Sequence, residues 1–240
     1  MKKIIYITLV VVLTGFILFV YNEFNGNPIS KYFSEHTLKK YLSEKYPEKE
    51  LRINEGTYNF KFKEYAYRVV EIGTVDAEKE QNEYEFTVRG FIMPKVNRDG
   101  IRESMLDQEV MDRLGAEGGT ELSKLLKPKV PAVKEVEVNV EVLKGQLDTN
   151  APWSKDLPFD RPIQIYILLH ANQMNKEEVY QAAQTIQKTL NDEGYSYESN
   201  INANQFGRTG REAEHGALKY AVYFEKDTKI KLGDVEEYNQ

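Results

Sequence analysis

The chain of 240 residues has no cysteine, one tryptophan and three histidines. The absence of cysteine excludes disulfides, thiol catalysis and Cys-ligated zinc or iron–sulfur sites. It also excludes a lipid-modified cysteine after the hydrophobic N-terminus. His36, His170 and His215 are far apart in sequence and lack the i, i+4 or tight loop spacing of a metal site, so no metal or other cofactor is expected. No G-x-S-x-G elbow, P-loop, dinucleotide fingerprint or EF-hand spacing occurs. Surplus positive charge is lacking too, since the formal net charge is −6. Without Lys2, Lys3 and Glu23, the 32 basic and 38 acidic side chains fall to 30 and 37, a net of −7 beyond the N-terminal segment. An acidic body disfavours nucleic acid, which needs Lys and Arg to displace phosphate counterions. It also disfavours charge-driven adhesion to anionic lipid.

What is present begins with Ile4–Tyr21, IIYITLVVVLTGFILFVY, which contains no charge. A helix of that length reaches roughly 27 Å, close to the thickness of a bilayer's hydrocarbon core. Lys2 and Lys3 precede it and Glu23 follows, so the positive-inside rule puts the N-terminus in the cytoplasm and the body outside the cell membrane. The competing reading is a cleaved signal peptide. The following Asn22–Pro28 lacks the small-x-small pattern of a cleavage site, which favours an uncleaved single-pass anchor.

The expected fold class is α+β: a transmembrane helix, then an antiparallel sheet with packed helices, then a smaller β-α-β-β half. Asn27-Pro28 reads as a helix start, with Ile29, Tyr32, Phe33, Leu38, Tyr41 and Leu42 as its apolar stripe to about Lys45. Tyr58, Phe60 and Phe62 alternate with polar residues, as do Tyr65, Tyr67 and Val69, and Tyr84, Phe86 and Val88, predicting half-buried strands. A helix is predicted over roughly Ile101–Leu126, broken near Gly115, Gly118 and Gly119. Val136, Val138, Val140 and Val142 form the clearest strand pattern. Residues 149–162 contain three prolines and read as a connection. After it come a central strand at Ile163–Leu169, a helix at Lys176–Leu190 stopped by Gly194, and strands at Tyr195–Ser199 and Leu218–Phe224. The tail from about Gly233 reads as frayed. The domains expected are thus an anchor (1–24), an N-terminal α+β domain (25–148), a connection (149–162) and a C-terminal domain (163–240).

The stretch Tyr21–Ile53, and within it FNGNPISKY, then YNFKFKEY (Tyr58–Tyr65), LSKLLKPKVP (Leu122–Pro131) and DLPFDRPIQIYI (Asp156–Ile167), resembles the YfjL-like family. That resemblance covers most of the chain. It implies a membrane-anchored or lipid-anchored protein of a Gram-positive bacterium and brings no catalytic residues. The opening helix followed by strands also looks like small extracytoplasmic modules of the PepSY type.

Three residues are candidate contacts. In the loop NQFGRTGREAEHG (Asn204–Gly216), Arg208 and Arg211 can grip a phosphate or carboxylate, and Gly207 and Gly210 permit positive φ. The competing reading is a plain hairpin loop. Trp153 is either a binding anchor or a plug at a junction between the two halves. Charge runs such as Glu48–Glu50 and Asp76–Glu80 read as solvated loops. The function expected is a non-enzymatic interaction module at the cell envelope, with an envelope protein or peptide as partner. The alternatives are an envelope hydrolase, which requires paired carboxylates or a His–carboxylate contact in a cleft, and a PepSY-like regulator of a membrane protease.

Overall fold

The computed structural model describes residues 2–72, 82–91, 93–207 and 216–238. It is an α+β protein of two compact units, Met1–Met105 and Leu106–Gln240, each with its own sheet and apolar core.

The first helix, α1 (Lys2–Asn25), is apolar on every side and exposed, and it is long and apolar enough to cross a membrane. Gly26 ends it. Its N–H bonds to Asn22 O at 2.9 Å and its φ is +71°, a conformation glycine adopts without a Cβ clash. Asn27 then caps α2 (Pro28–Lys45), accepting from Ser30 N–H at 2.8 Å with Pro28 in the first turn, as the sequence predicts. The buried face of α2 differs from the predicted stripe. Leu38 and Leu42 are buried, but the first turns bury Ser30 and Ser34 and leave Ile29, Tyr32 and Phe33 exposed. The reason lies in the facing sheet, where Tyr67 Oη lies 3.1 Å from Ser34 Oγ and Tyr65 Oη 2.8 Å from Ser30 Oγ. Buried phenols need polar partners, and small hydroxyls let the rings come close.

The N-terminal sheet contains β1 (Leu51–Ile53), β2 (Thr57–Asn59), β3 (Glu64–Glu71), β4 (Glu83–Arg89) and β5 (Lys95–Asp99), all antiparallel. β1 and β2 share one edge of β3, and the order continues through β4 to β5. Tyr65, Tyr67, Val69, Phe86 and Val88 point to α2 and form the core with Leu38, Leu42, Tyr46 and Ile101. Phe60 and Phe62 are not strand residues facing a core. They sit in the β2–β3 turn and are half exposed.

Asp99 locks α2 to this sheet. Its Oδ2 accepts from Tyr41 (2.8 Å), Tyr46 (2.7 Å) and Lys45 (2.7 Å), while Oδ1 caps the short helix α3 (Gly100–Ser104) through Arg102 N–H at 3.0 Å. Burial works to raise the Asp99 pKa, but these donors outweigh it and hold the carboxyl below its usual range.

The predicted helix over 101–126 is two helices. Asp107 starts a new one, α4 (Gln108–Leu126), accepting from Val110 N–H. The glycines do not break α4. They bring it against β6 (Val133–Asn139): a Cβ on Gly115 would lie 2.5 Å from Val138 O, and one on Gly119 2.8 Å from Val136 O. The C-terminal sheet has the order β10-β9-β8-β7-β6, with β7 (Ile163–His170), β8 (Tyr197–Gln205), β9 (Ala217–Glu225) and β10 (Glu236–Glu237). The pair β7–β8 is parallel, joined through α5 (Lys176–Asp192), and the other pairs are antiparallel. β7 is an interior strand, paired on both edges, as predicted, but its burial alternates, so one of its faces is open.

Because β6 pairs with β7, residues 106–148 belong to the C-terminal unit. The boundary therefore falls at Met105/Leu106, and 149–162 is a connection inside the second unit. The tail is not frayed where it is described: β10 pairs with β9 and Val235 is fully buried.

Candidate functional site

α4 and α5 cover one face of the C-terminal sheet. Val110, Leu114, Leu122 and Leu126, with Val179, Ala183, Ile186 and Leu190, pack on the inward residues of β6–β9. The opposite face is open, and strand alternation together with the register fixes what it presents. One cross-strand row reads Glu137, Tyr166, Asn200, Tyr223. The row on one side reads Asn139, Gln164, Glu198, Glu225, and that on the other Glu135, Leu168, Asn202, Ala221. Tyr166 and Tyr223 are 38% and 48% exposed, large for phenol rings in the middle of a sheet.

The middle strand of this sheet is an unusual place for amides. β8 reads YESNINANQ, with Ser199, Ile201 and Ala203 turned to the core and Asn200 and Asn202 turned outward. Asparagine is disfavoured in strands, where β-branched residues pack better. A residue choice that weakens the local element points to a use on the surface it forms.

The electrostatics agree. Among the described residues, no Lys or Arg pairs with Glu137, Glu198 or Glu225. Tyr223 Oη donates to Glu225 Oε1 at 3.0 Å, and its pKa is pushed up to about 12, first by burial and then by Glu225 and Glu198. The phenol therefore stays a neutral donor beside two anions. Tyr166 Oη lies 3.5 Å from Gln164 Oε1, too far for a strong bond. The face thus offers amides, phenols and carboxylates with hydrogen-bonding capacity to spare. A groove of about 670 Å3 opens beside it between α4 and β6, lined by Asp112, Gly115, Gly119, Glu135 and Glu137 among others.

The sequence-predicted contacts lie elsewhere or cannot be placed. Arg208, Arg211 and His215 are outside the described residues, as is the charge run Asp76–Glu80. Trp153 is not an exposed anchor. Its ring lies on α4 at Gly118, where a Cβ would come within 2.8 Å, and it meets Phe159 at 6.1 Å between centroids. Its backbone N–H donates to Glu117 at 2.9 Å. Trp153 therefore plugs a gap within the second unit. His36 is exposed on α2 and stacks on Tyr32, and His170 ends β7 and stacks on Phe206 at 5.2 Å. Among the described residues, no three His, Asp or Glu side chains converge as metal ligands do. The open face itself went unread in the sequence. The apolar pattern predicts a strand ending at Ser199, whereas the alternation S-N-I-N-A-N-Q over 199–205 continues it as β8.

Comparison with known proteins agrees with this two-unit division. Residues 1–100 match the model of the YfjL-like N-terminal domain, and residues 117–236 match that of the YfjL-like C-terminal domain. A relative in Bacillus subtilis strain 168, the uncharacterized protein YfjL, is 31% identical over 237 residues, covering 99% of both chains. No solved structure matches.

Proposed function

The chain belongs to the YfjL-like family, and from that premise we propose that it is a membrane-tethered, non-enzymatic binding module of the cell envelope. In this reading α1 is the single-pass anchor, the N-terminus is cytoplasmic, and the body stands outside the membrane. The open face of the C-terminal sheet engages an envelope protein or peptide. The observation that carries the reading is the row Glu137, Tyr166, Asn200, Tyr223. It presents donors, acceptors and ring faces side by side on a rigid sheet, a surface suited to a polar or basic chain segment.

A non-enzymatic role is supported by where these groups stand. Catalytic carboxylates and phenols work in desolvated clefts that exclude water. Here they stand on an open, water-washed face. The perturbed groups elsewhere are tied into packing contacts, as at Asp99 and in the Lys49–Glu71 ion pair at 2.7 Å. The hydrolase and protease-regulator readings gain no comparable support.

The test is photocrosslinking in cells that carry the full-length, membrane-inserted protein. A crosslinking residue replaces Tyr166 or Tyr223, and a control replaces Arg68 on the N-terminal sheet. One dominant envelope adduct from the C-terminal positions, absent from the control, supports the proposal. Equal adducts at all positions, or none, refute it.

A further inference from the structure

The β2–β3 turn is built to hold two aromatic rings in the open, beside the end of the anchor helix. Asn59 Oδ1 accepts from the N–H groups of Lys61 (3.1 Å) and Phe62 (3.4 Å), which fixes the turn. Lys63 takes φ +52°, the left-handed region that side chains other than glycine seldom occupy. Its ammonium reaches Glu23 of α1 at 3.0 Å. Phe60 and Phe62 are 55% and 50% exposed, and Phe60 lies against Phe24 of α1 with 5.2 Å between ring centroids. The tip therefore abuts the last turn of α1.

The junction that follows this turn, Gly26–Asn27, is itself held. Tyr65 Oη donates to Asn27 O at 3.0 Å and accepts from Asn27 N–H at 3.1 Å. Gly26 lies so close to Tyr65 and Tyr58 that a Cβ would overlap both rings. The hairpin cannot swing away from the helix without breaking this clamp.

Depth follows from the helical rise. Phe24 is three residues beyond Tyr21, the end of the uncharged run, so it lies ~4–5 Å past the hydrocarbon edge of a membrane-spanning α1. That is the level of the lipid headgroups, where aromatic rings are favoured because one side meets acyl chains and the other meets water. The turn touching Phe24 lies at the same level. Contiguous exposed rings on an ordered loop are costly in water, and here they adjoin a bilayer.

We infer that the Phe60–Lys63 turn, with Phe24, is a foot that rests in the headgroup layer of the same membrane that α1 spans, and so fixes the posture of the N-terminal unit. This rests on the reading of α1 as a membrane span but not on which side the body occupies. The acidic body does not oppose it, since the contact is made by ring burial and Lys63 is already neutralised by Glu23.

The cysteine-free chain permits a direct test on the full-length protein in phosphatidylcholine vesicles. Single substitutions Lys61→Cys, Ile17→Cys and Glu48→Cys each carry an environment-sensitive fluorophore. Emission is read with aqueous iodide and with lipids bearing a shallow spin-label quencher. The expected result is a blue-shifted Lys61 label, quenched by the lipid probe and several-fold less by iodide than the Glu48 label. Adding Phe60→Ser and Phe62→Ser removes the rings but not the clamp, so it should shift the emission to the red and raise iodide quenching while lipid quenching persists. If the Ile17 label is lipid-quenched while the Lys61 label stays fully open to iodide, the foot is overturned and the anchor stands. If the Ile17 label is open to iodide as well, the anchor reading fails and takes the foot with it.

Discussion

Each sheet of this protein has one face away from its helices, and the two faces manage their exposure differently. On the N-terminal sheet the charges neutralise one another: Arg68 pairs with Glu83 at 3.2 Å, Arg89 with Glu64 at 3.1 Å, and Arg98 with both Glu85 and Glu103. A depression of about 900 Å3 there is lined by the Arg68–Glu83 pair and by Glu85, among others. On the C-terminal sheet the carboxylates Glu137, Glu198 and Glu225 have no such cations among the described residues, and amides and phenols stand between them. Both solutions keep a sheet soluble. Only the second leaves hydrogen bonds available to another molecule, which is why the two faces are assigned different roles.

The largest expected effect removes the second face altogether. Gly115→Val puts atoms into the backbone of β6, which cannot give way as a flexible side chain can. Overpacking of this kind costs about 1–3 kcal/mol or more, so the C-terminal unit should melt early or fail to fold. Denaturant unfolding followed by Trp153 fluorescence reads this directly, because that ring packs on α4. Gly145→Ala is a control for added volume, since nothing lies within 4 Å of its Cβ position; its φ of +77° still imposes some strain.

Next is Asp99→Asn, which strips an anionic acceptor from two phenols and a lysine. A loss of about 2–3 kcal/mol is expected from the N-terminal unit, with no change at the C-terminal face. The folded pKa of Asp99 is depressed, so its contribution is present above the unfolded value of about 3.9 and is lost as pH falls through the folded pKa. The wild type should therefore lose stability below about pH 4, and the variant should show a shallower acid limb in the same titration.

A smaller effect tests the paired face. Glu83→Arg should cost no more than about 1 kcal/mol, because exposed ion pairs contribute little. Combining it with Arg68→Glu should recover most of the loss. A double-mutant cycle with no coupling would remove the contrast drawn between the faces.

The smallest effect on stability is expected from Glu198→Gln with Glu225→Gln, within about 0.5 kcal/mol of wild type. The same change should lower the Tyr223 pKa from about 12 toward the ordinary phenol value, read by ultraviolet titration of the phenolate against a Tyr223→Phe reference. The sign follows from linkage. With the folded pKa raised, this phenol's contribution is intact below about pH 10 and is lost as pH rises toward its folded value. A Tyr223 pKa unmoved by the double substitution would leave burial as the whole cause.

Much of the fold was legible because period and punctuation are local. Asn27-Pro28 gave the start of α2, the alternation at Tyr84–Val88 gave β4, and Lys176–Leu190 gave α5. The misreadings share one cause, a partner distant in sequence. Phe60 and Phe62 carry a strand period, yet a turn set by Asn59 places them beside Phe24. Gly115 and Gly119 look like helix breakers until β6 lies against them. Whether Val136–Val142 and 163–205 share one sheet stays open in the sequence, and the pairing of β6 with β7 decides it. The candidate face could not be assembled from sequence, because its row joins residues 137, 166, 200 and 223 through strand register alone.

The sequence by itself determined the uncharged 18-residue run, the acidic body, the absence of thiol chemistry and the order of most helices and strands. These depend on composition and on side-chain spacing along a few turns. Tertiary structure decided which glycines permit close packing, which aromatic rings stay in the open, and which polar side chains line up on one face. Those outcomes depend on strand register and helix approach, and they are set by the burial of residues far apart in the chain.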